Sequence, residues 1–202
     1  MQFIDLAKQQ SLIKDALDAR IQDVLAHGKY IMGPEVKEME AQLAEYVGVK
    51  HCVSCSSGTD ALLMPLMAWD VGPGDAVFTT PFTFIATAEV IQLLGATPVF
   101  VDIDPKTYNI SPELLEDAIK QVIEKGELTP KVIIPVDLFG LPADYAAIEL
   151  ISAKYGIKVL EDAAQGFGGQ IDGRMAGSFG DAASTSFFPA KPLGCYGDGG
   201  AI

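Results

Sequence analysis

The sequence predicts an α/β fold of three layers, in which helices cover both faces of a mainly parallel sheet. Short apolar segments alternate with helical segments between residues 51 and 161. Such alternation is typical of βαβ units, whose right-handed crossovers make consecutive strands parallel. The chain has 202 residues, 49% of them hydrophobic, so it can bury a large core. We therefore expect one large domain over residues 1–202.

Two helices are predicted before the first strand. Apolar residues recur at helical spacing over residues 6–26, and the segment GKYIMGPEV interrupts the pattern. Pro34 suits the first turn of a second helix, which we expect to run over residues 34–47.

The alternating region then contains both element types in turn. Strands are expected at residues 51–55, 76–80, 98–102, 131–136 and 158–161. Helices are expected at residues 59–69, 83–94, 112–123 and 145–155. After these, QIDGRMAG indicates a turn, DAASTSFF a strand and GDGGAI the beginning of another strand.

The charge of the chain excludes several classes of partner. Its formal net charge of -13 argues against nucleic acid and against anionic lipid, which both need clustered Lys and Arg. The N-terminal segment has no apolar signal-peptide core. Residues 76–101 are apolar enough to suggest a membrane span, but prolines and Gly95 divide them, so two strands around a helix fit better. We expect no membrane partner.

The cysteines indicate a reducing compartment. Cys52, Cys55 and Cys195 provide no disulfide framework, which favours the cytoplasm. Cys52 and Cys55 form a CxxC motif, but both lie in a predicted strand and no second ligand pair exists. Packing is therefore favoured over a redox or metal role.

The segment SFFPAKPLG places Lys191 in an apolar setting. Phe187, Phe188, Pro189 and Pro192 flank this lysine, so partial burial of its amine is expected. Burial disfavours the ammonium form and makes the amine available as a nucleophile toward an aldehyde. The alternative is a surface lysine whose stem lies along apolar residues.

Two segments at the predicted ligand edge can contact an anion and a ring. In open parallel sheets, ligands bind outside the carboxyl ends of the strands. Gly58 and Thr59 lie where a strand turns into a helix, so they can hold a phosphate, although an ordinary helix N-cap is the alternative. Phe84 begins a helix and can stack on a planar heterocycle, or else pack in the core.

Two later segments add a carboxylate and a hydroxyl. Asp162 follows an apolar strand, so its carboxylate can keep a pyridinium nitrogen protonated, unless it caps a short helical turn. Ala164 is small enough to lie beneath the ring, and Gln165 can hydrogen-bond a ring hydroxyl. Ser186 lies close enough to Lys191 in the chain to join the phosphate while the lysine reaches the aldehyde.

With these residues assembled, the sequence resembles the DegT family of sugar aminotransferases, which are pyridoxal 5'-phosphate (PLP) enzymes of fold type I. The resemblance runs from IDLAKQQ to GCYGDGGAI. It is most specific in HGKYIMGPEV, SSGTDAL, LEDAAQGFG and SFFPAKPLGCYGDGGAI.

The resemblance implies a role for each candidate residue. Lys191 is implied as the catalytic residue, which binds PLP covalently and moves a proton. Asp162 is implied to pair with the pyridine nitrogen, Gln165 to contact the ring oxygen and Phe84 to stack on the ring. The residues implied to hold the phosphate are Gly58, Thr59 and Ser186.

The resemblance also implies a substrate. Gly28 and Tyr30 match positions that contact a sugar nucleotide, and Ala190 stands where related enzymes often have a substrate-binding serine. The implied reaction is amino transfer from glutamate to a keto sugar nucleotide, a UDP-linked 3-keto-hexuronate, for surface polysaccharides such as O-antigen. Lys191 favours this reaction, because dehydratase relatives carry histidine in its place.

Three alternatives remain open. Members of the family are nearly twice this length, so the resemblance implies a small domain outside this chain and a homodimer with shared active sites. A large-domain fragment that folds and binds PLP without full activity is one alternative. A dTDP-keto-deoxyhexose as substrate is another. A nucleotide-binding module is the third, but the chain lacks the GxGxxG fingerprint.

Overall fold

The computed structural model describes residues 4–202 and groups them into two compact units, which divide between Val53 and Ser54. The single domain expected over the whole chain therefore stays a prediction. The first unit contains helices α1 (Leu6–His27) and α2 (Pro34–Val47). Their bounds match the predicted ones closely. The first helix ends where expected because Gly28 adopts a left-handed conformation (φ 66°) there. None of the described residues of α1 is buried.

The second unit contains the predicted alternation of helices and strands. Its helices are α3 (Gly58–Ala68), α4 (Ala86–Leu93), α5 (Pro112–Lys125) and α6 (Tyr145–Tyr155). Its strands are β1 (Ser54–Cys55), β2 (Asp75–Thr79), β3 (Thr97–Phe100), β4 (Thr129–Ile134), β5 (Lys158–Asp162), β6 (Gln170–Ile171), β7 (Arg174–Met175), β8 (Ala182–Ser186) and β9 (Gly200–Ala201).

Seven of these strands form one sheet in the order β1-β9-β8-β5-β4-β2-β3. The pairs β8–β5, β5–β4, β4–β2 and β2–β3 are parallel, whereas β9 is antiparallel to both of its neighbours. The mainly parallel α/β fold is thus confirmed. All the parallel strands end at the same edge, and this edge carries the candidate site.

The sheet is buried on both faces. On one face, Phe78 and Ile133 pack in a core cluster with residues of α5 and α6. On the other face, Val77 and Val132 pack in a second cluster with residues of α3 and α4. Successive residues of one strand therefore point into different clusters, as expected of a sheet between two helical layers.

Apart from shifts of one or two residues at the ends of elements, the structure differs from the predicted elements in three places. The strand expected at residues 51–55 pairs only at Ser54–Cys55, where it meets β9. The helix expected at residues 83–94 begins later, at Ala86, so Phe84 precedes it. The predicted turn in QIDGRMAG is a short hairpin formed by β6 and β7. Among the described residues, no helix combines the length and apolarity that a bilayer crossing requires.

Candidate active site

The N-terminus of α3 lies against the carboxyl end of β8. A Cβ atom built on Gly58 would stand 2.6 Å from the Ser186 Cβ and 2.9 Å from its Oγ. Only a residue without a side chain allows the backbone to approach Ser186 so closely. Two of the three residues predicted to bind phosphate are therefore in contact, although 128 positions separate Ser186 from Gly58 in the chain (186 minus 58).

The first turn of α3 has free backbone donors. Ser57 is the N-cap, and its Oγ accepts a hydrogen bond from the Asp60 amide at 3.1 Å. The amides of Gly58 and Thr59 precede the first intrahelical bonds and have no acceptor among the residues that the structure describes. The alternative prediction of an ordinary N-cap is thus correct for Ser57. This cap leaves the Gly58 and Thr59 amides, at the positive end of the helix dipole, available to an anion.

Asp162 is the last residue of β5, and its side chain is buried, with 4% exposure. The Thr87 hydroxyl of α4 donates to Asp162 Oδ2 at 2.9 Å, and the Ala164 amide donates to Oδ1 at 3.2 Å. Burial raises the pKa of Asp162, whereas these two donors and the charge of Lys191 favour the carboxylate. A cationic ligand beside Asp162 would offset the unfavourable burial of its charge.

Lys191 lies in the turn between β8 and β9. Its backbone amide donates to the Phe188 carbonyl at 2.8 Å, which closes the turn. The residue is half-buried, and its ammonium forms no ion pair with any of residues 4–202, although its charge acts on Asp162. The expected apolar setting is only partly present, because Phe187 is buried while Phe188 and Pro192 are exposed.

Phe84 is available for stacking. Its side chain is 66% exposed, so the alternative of a core phenylalanine is wrong. The Phe84 carbonyl accepts a hydrogen bond from the Thr87 amide at 3.2 Å, which fixes the backbone where α4 begins. The same residue, Thr87, therefore contacts both the Phe84 backbone and the Asp162 carboxylate.

Gln165 has one polar group engaged and one free. Its Oε1 accepts a hydrogen bond from the Phe139 amide at 3.0 Å. Phe139 has a left-handed backbone (φ 58°), which is uncommon for an aromatic residue and is typical of positions held by their surroundings. The Nε2 group of Gln165 has no acceptor among the described residues, so it can donate to a ligand oxygen.

Two of the predicted substrate residues lie in the first unit and one lies in the second. Gly28 and Tyr30 belong to the first unit, where Gly28 ends α1 and Tyr30 is 66% exposed. Ala190 is exposed in the turn that carries Lys191. Their contacts with substrate stay predictions.

Among the described residues, the three cysteines form no disulfide bond, and all three lie partly buried. Cys55 donates to the Ser57 carbonyl at 3.3 Å, and burial raises the pKa of its thiol. Cys195 donates to the Gly197 carbonyl at 3.2 Å. Among the described residues, no cluster of His, Cys, Asp or Glu has the arrangement of a metal site.

Two residues of this region were not predicted from the sequence. Thr87 lies 75 positions from the carboxylate that it contacts, and a threonine inside a helix gives no local signal of such a role. Asp137 carries the signal that identified Asp162, a carboxylate directly after an apolar strand, and it lies beside Asp162 at the same sheet edge. That signal could have identified it.

The residues present fit PLP. The buried Asp162 carboxylate suits a pyridinium nitrogen, and the free amides of Gly58 and Thr59 beside Ser186 suit a phosphate. Lys191 supplies an unpaired amine close enough to influence Asp162.

The chain is similar to known sugar aminotransferases. The model of the DegT/DnrJ/EryC1/StrS aminotransferase family matches residues 11–202. The chain is 58% identical over 204 residues to the UDP-2-acetamido-2-deoxy-3-oxo-D-glucuronate aminotransferase of Pseudomonas aeruginosa, an alignment that covers 100% of this chain and 54% of that protein. The chain thus spans about half the length of the curated relatives that it matches.

Solved structures show the same likeness. The crystal structure of a DegT DnrJ EryC1 StrS aminotransferase from Brucella abortus matches with a TM-score of 0.98 and 58% identity, over 100% of this chain and 54% of that one. NtdA from Bacillus subtilis, solved with the cofactor PMP, matches with a TM-score of 0.88 and 33% identity, over 100% of this chain and 44% of that one. The resemblance seen in the motifs is confirmed.

Proposed function

Because the chain belongs to the DegT/DnrJ/EryC1/StrS aminotransferase family, we propose that it takes part in PLP-dependent transfer of an amino group to a keto sugar nucleotide. The observation that carries this proposal is the buried Asp162 carboxylate at the ligand edge, with the Lys191 charge acting on it. When bound, PLP supplies an electron sink that stabilises negative charge at the carbon bearing the amine.

The residues of this chain would then bind and orient the cofactor. Asp162 holds a proton on the pyridine nitrogen, and the Thr87 hydroxyl orients that carboxylate. The Gly58 and Thr59 amides, with the Ser186 hydroxyl, bind the phosphate. Phe84 would stack on the ring, and Gln165 would donate to the ring oxygen.

The remaining cofactor-side residues complete the pocket. Ala164 would leave room beneath the ring, and the Lys191 amine would hold the cofactor and carry a proton during the transfer. The carboxylate, the amides and the amine come from separate chain segments, which the fold brings to one edge.

The substrate that we propose is a UDP-linked 3-keto-hexuronate, with glutamate as amino donor, in surface-polysaccharide synthesis such as that of O-antigen. The name of the Pseudomonas aeruginosa relative supports the choice of the UDP-linked keto sugar. Gly28, Tyr30 and Ala190 are the residues proposed to contact the sugar nucleotide.

A homodimer is also part of the proposal. Phe82, Tyr108 and Phe139 pack against one another, with ring centroids 5.8 to 6.3 Å apart, and remain 44%, 45% and 71% exposed. Such an exposed apolar surface is typical of subunit interfaces. Sedimentation at micromolar concentration tests this: we expect twice the chain mass, and a monomer would contradict it.

The three cysteines, which form no disulfide bond among the described residues, support a cytoplasmic location, where thiols stay reduced.

Titration of the purified chain with PLP tests the cofactor proposal. We expect a visible absorbance band and, after borohydride reduction, a peptide in which Lys191 carries the cofactor. The Lys191→Ala variant is expected to show neither. A wild-type chain without the band would overturn the proposal.

A second assay mixes the PLP-loaded chain with glutamate and either a UDP-3-keto-hexuronate or a dTDP-keto-deoxyhexose. Aminated UDP sugar is the expected product, and amination of the dTDP sugar alone would overturn the choice of substrate. A chain that binds PLP but aminates neither sugar is the result expected of a large-domain fragment, and it would contradict activity of this chain by itself.

A further inference from the structure

Two buried carboxyl groups that the proposed transfer does not use lie beside Asp162. Asp137 follows β4, and Glu161 precedes Asp162 in β5; the side chains of both are fully buried, with 0% exposure. A bridge between Val136 and Asp162 makes the two strand ends adjacent. We refer to Asp137 and Glu161 as the acid pair.

Glu161 connects β5 to the loop that follows β7. Its Oε1 accepts a hydrogen bond from the Gly177 amide at 2.6 Å, and its Oε2 accepts one from the Phe179 amide at 2.8 Å. The Arg174 guanidinium stacks on the Phe179 ring with its centre 4.4 Å from the ring centroid, and it pairs with Glu149. It therefore does not neutralise Glu161.

The two carboxylate oxygens of Asp137 differ in their hydrogen bonds. Its Oδ1 accepts hydrogen bonds from the Ala143 amide at 3.0 Å and from the Tyr145 hydroxyl at 2.8 Å. Its Oδ2 is buried and receives no hydrogen bond from an N–H group or neutral hydroxyl within residues 4–202. The group that interacts with the Asp137 carboxyl from the other strand is the Glu161 carboxyl.

The surroundings of the acid pair contain no compensating charge. The titratable groups that face the pair are Tyr145 and Asp162, and no Lys, Arg or His among the described residues forms an ion pair with either acid. Burial raises the pKa of both carboxyls, to about 9 for Glu161 and to about 6 for Asp137. The negative charge of Asp137 raises the pKa of Glu161 further.

The acid pair also contacts the segment that carries the predicted cofactor residues. The Asp137 amide donates to the Asp162 carbonyl at 3.0 Å. A Cβ atom built on Gly166 would stand 2.7 Å from Asp137 Oδ2, so the turn that contains Ala164 and Gln165 packs directly against Asp137.

We propose that Asp137 and Glu161 share one proton and that the pair so formed is the positioning element of Asp162. A proton on Glu161 supplies the donor that Asp137 Oδ2 otherwise lacks, and it removes one of two facing negative charges. The bonded pair then joins the ends of β4 and β5 beneath the turn that follows Asp162. The positioning role rests on the proposed function, whereas the shared proton does not.

Asp137→Asn tests the shared proton. The Asn oxygen can keep the contacts to Ala143 and Tyr145, while the new amide group donates to Glu161 without a titratable proton. Glu161 then ionises, so the charge of the pair is unchanged. Asp144→Asn is the matched control, because Asp144 is an exposed N-cap of α6 and asparagine caps equally well.

Urea unfolding without cofactor gives the readout. A folded-state pKa raised above the unfolded value gives stability that is lost as the pH rises toward about 9. Between about pH 6 and about pH 8, we expect the unfolding equilibrium constant of wild type and of Asp144→Asn to rise about tenfold per pH unit relative to Asp137→Asn. Equal pH dependence in wild type and Asp137→Asn would overturn the shared proton.

Infrared spectroscopy of wild type covers the case in which Asp137→Asn does not fold. We expect the carbonyl stretch of a protonated carboxyl group at neutral pH, with a shift in heavy water. Absence of this band would overturn the shared proton in the same way.

Rescue by the conservative variant tests the positioning role. We expect folded Asp137→Asn to bind PLP within about threefold of wild type and folded Asp137→Ala to bind at least about tenfold more weakly, which corresponds to the loss of one charge-assisted contact. Equal affinity of folded Asp137→Ala and wild type would overturn positioning. If wild type binds no PLP, both the proposed function and the positioning role are refuted. The unfolding experiment would still show whether Asp137 and Glu161 share a proton.

Discussion

Gly58 and Ser186 approach so closely that a single methyl group added to Gly58 would overlap the serine Cβ at 2.6 Å. We expect Gly58→Ala to push α3 away from β8 and to separate the amides from the hydroxyl that together bind phosphate. PLP affinity is expected to fall by at least about tenfold, and overpacking is expected to cost about 1–3 kcal/mol of unfolding free energy. Absorbance titration and urea unfolding measure the two effects.

The control for this prediction is Gly72→Ala. A Cβ on Gly72 would meet only the Leu94 carbonyl oxygen, at an ordinary 3.9 Å, and Gly72 lies before β2, away from the carboxyl edge. PLP affinity unchanged in both glycine variants would contradict the role given to the Gly58–Ser186 contact.

Thr87→Val removes the hydroxyl that donates to Asp162 Oδ2 at 2.9 Å. A hydrogen bond to a charged group contributes about 1.5–3 kcal/mol, so we expect PLP affinity to fall between about tenfold and about a hundredfold. The loss is expected because the variant leaves a buried carboxylate with fewer donors, which raises the pKa of Asp162 further.

Thr185→Val is the matched control for the threonine variant. The Thr185 hydroxyl is buried and has no hydrogen-bond partner within residues 4–202, so the same change of side chain removes no contact there. We expect PLP affinity to stay at the wild-type value. A similar loss in both variants would show that the Thr87 effect is not specific to Asp162.

The sequence could predict the site residues at strand ends, because the carboxyl ends of parallel strands lie at one edge of the sheet. Asp162 was identified as a charge directly after an apolar strand, and the structure places it there. Gly58 and Ser186 were predicted separately from a strand-to-helix turn and from a serine before a lysine. Their contact follows from the pairing of β8 beside β5 and from the packing of α3 on β8.

The rest of the site depends on contacts that local patterns do not encode. Thr87 reaches Asp162 only because α4 packs on the sheet with that face toward β5, and helical periodicity does not specify this rotation. The proton proposed for Glu161 depends on Asp137, which lies on a neighbouring segment. The apolar residues that flank Lys191 did not predict which of them are exposed, because both buried and exposed positions occur in this turn.

Phe84→Leu tests stacking by an exposed ring. Because Phe84 is 66% exposed, the unfolding free energy without cofactor is expected to change by no more than about 0.5 kcal/mol. Loss of ring stacking is expected to weaken PLP binding between about twofold and about tenfold. Phe100→Leu is the control, since that ring is 53% exposed and lies at the end of the edge strand β3. Equal PLP affinity in all three proteins would remove Phe84 from the site.

Asp162→Asn is expected to change stability and function in opposite directions. Burial raises the pKa of Asp162 in the folded chain. The contribution of Asp162 to the unfolding free energy therefore declines as the pH rises through this raised pKa. A neutral amide of the same shape avoids the burial of charge, and we expect the cofactor-free variant to be more stable than wild type in urea at neutral pH. This gain in stability is expected to shrink as the pH is lowered, because protonation of Asp162 then removes the buried charge from wild type as well.

The same substitution is expected to slow amino transfer by about a hundredfold or more, because an amide cannot hold the proton on the pyridine nitrogen. PLP absorbance should still appear, since Lys191 and the phosphate-binding amides are intact. Single-turnover absorbance changes with glutamate measure the rate. A variant that transfers amino groups as fast as wild type, or that is less stable than wild type at neutral pH, would contradict the assignment of Asp162 as the buried anion of this site.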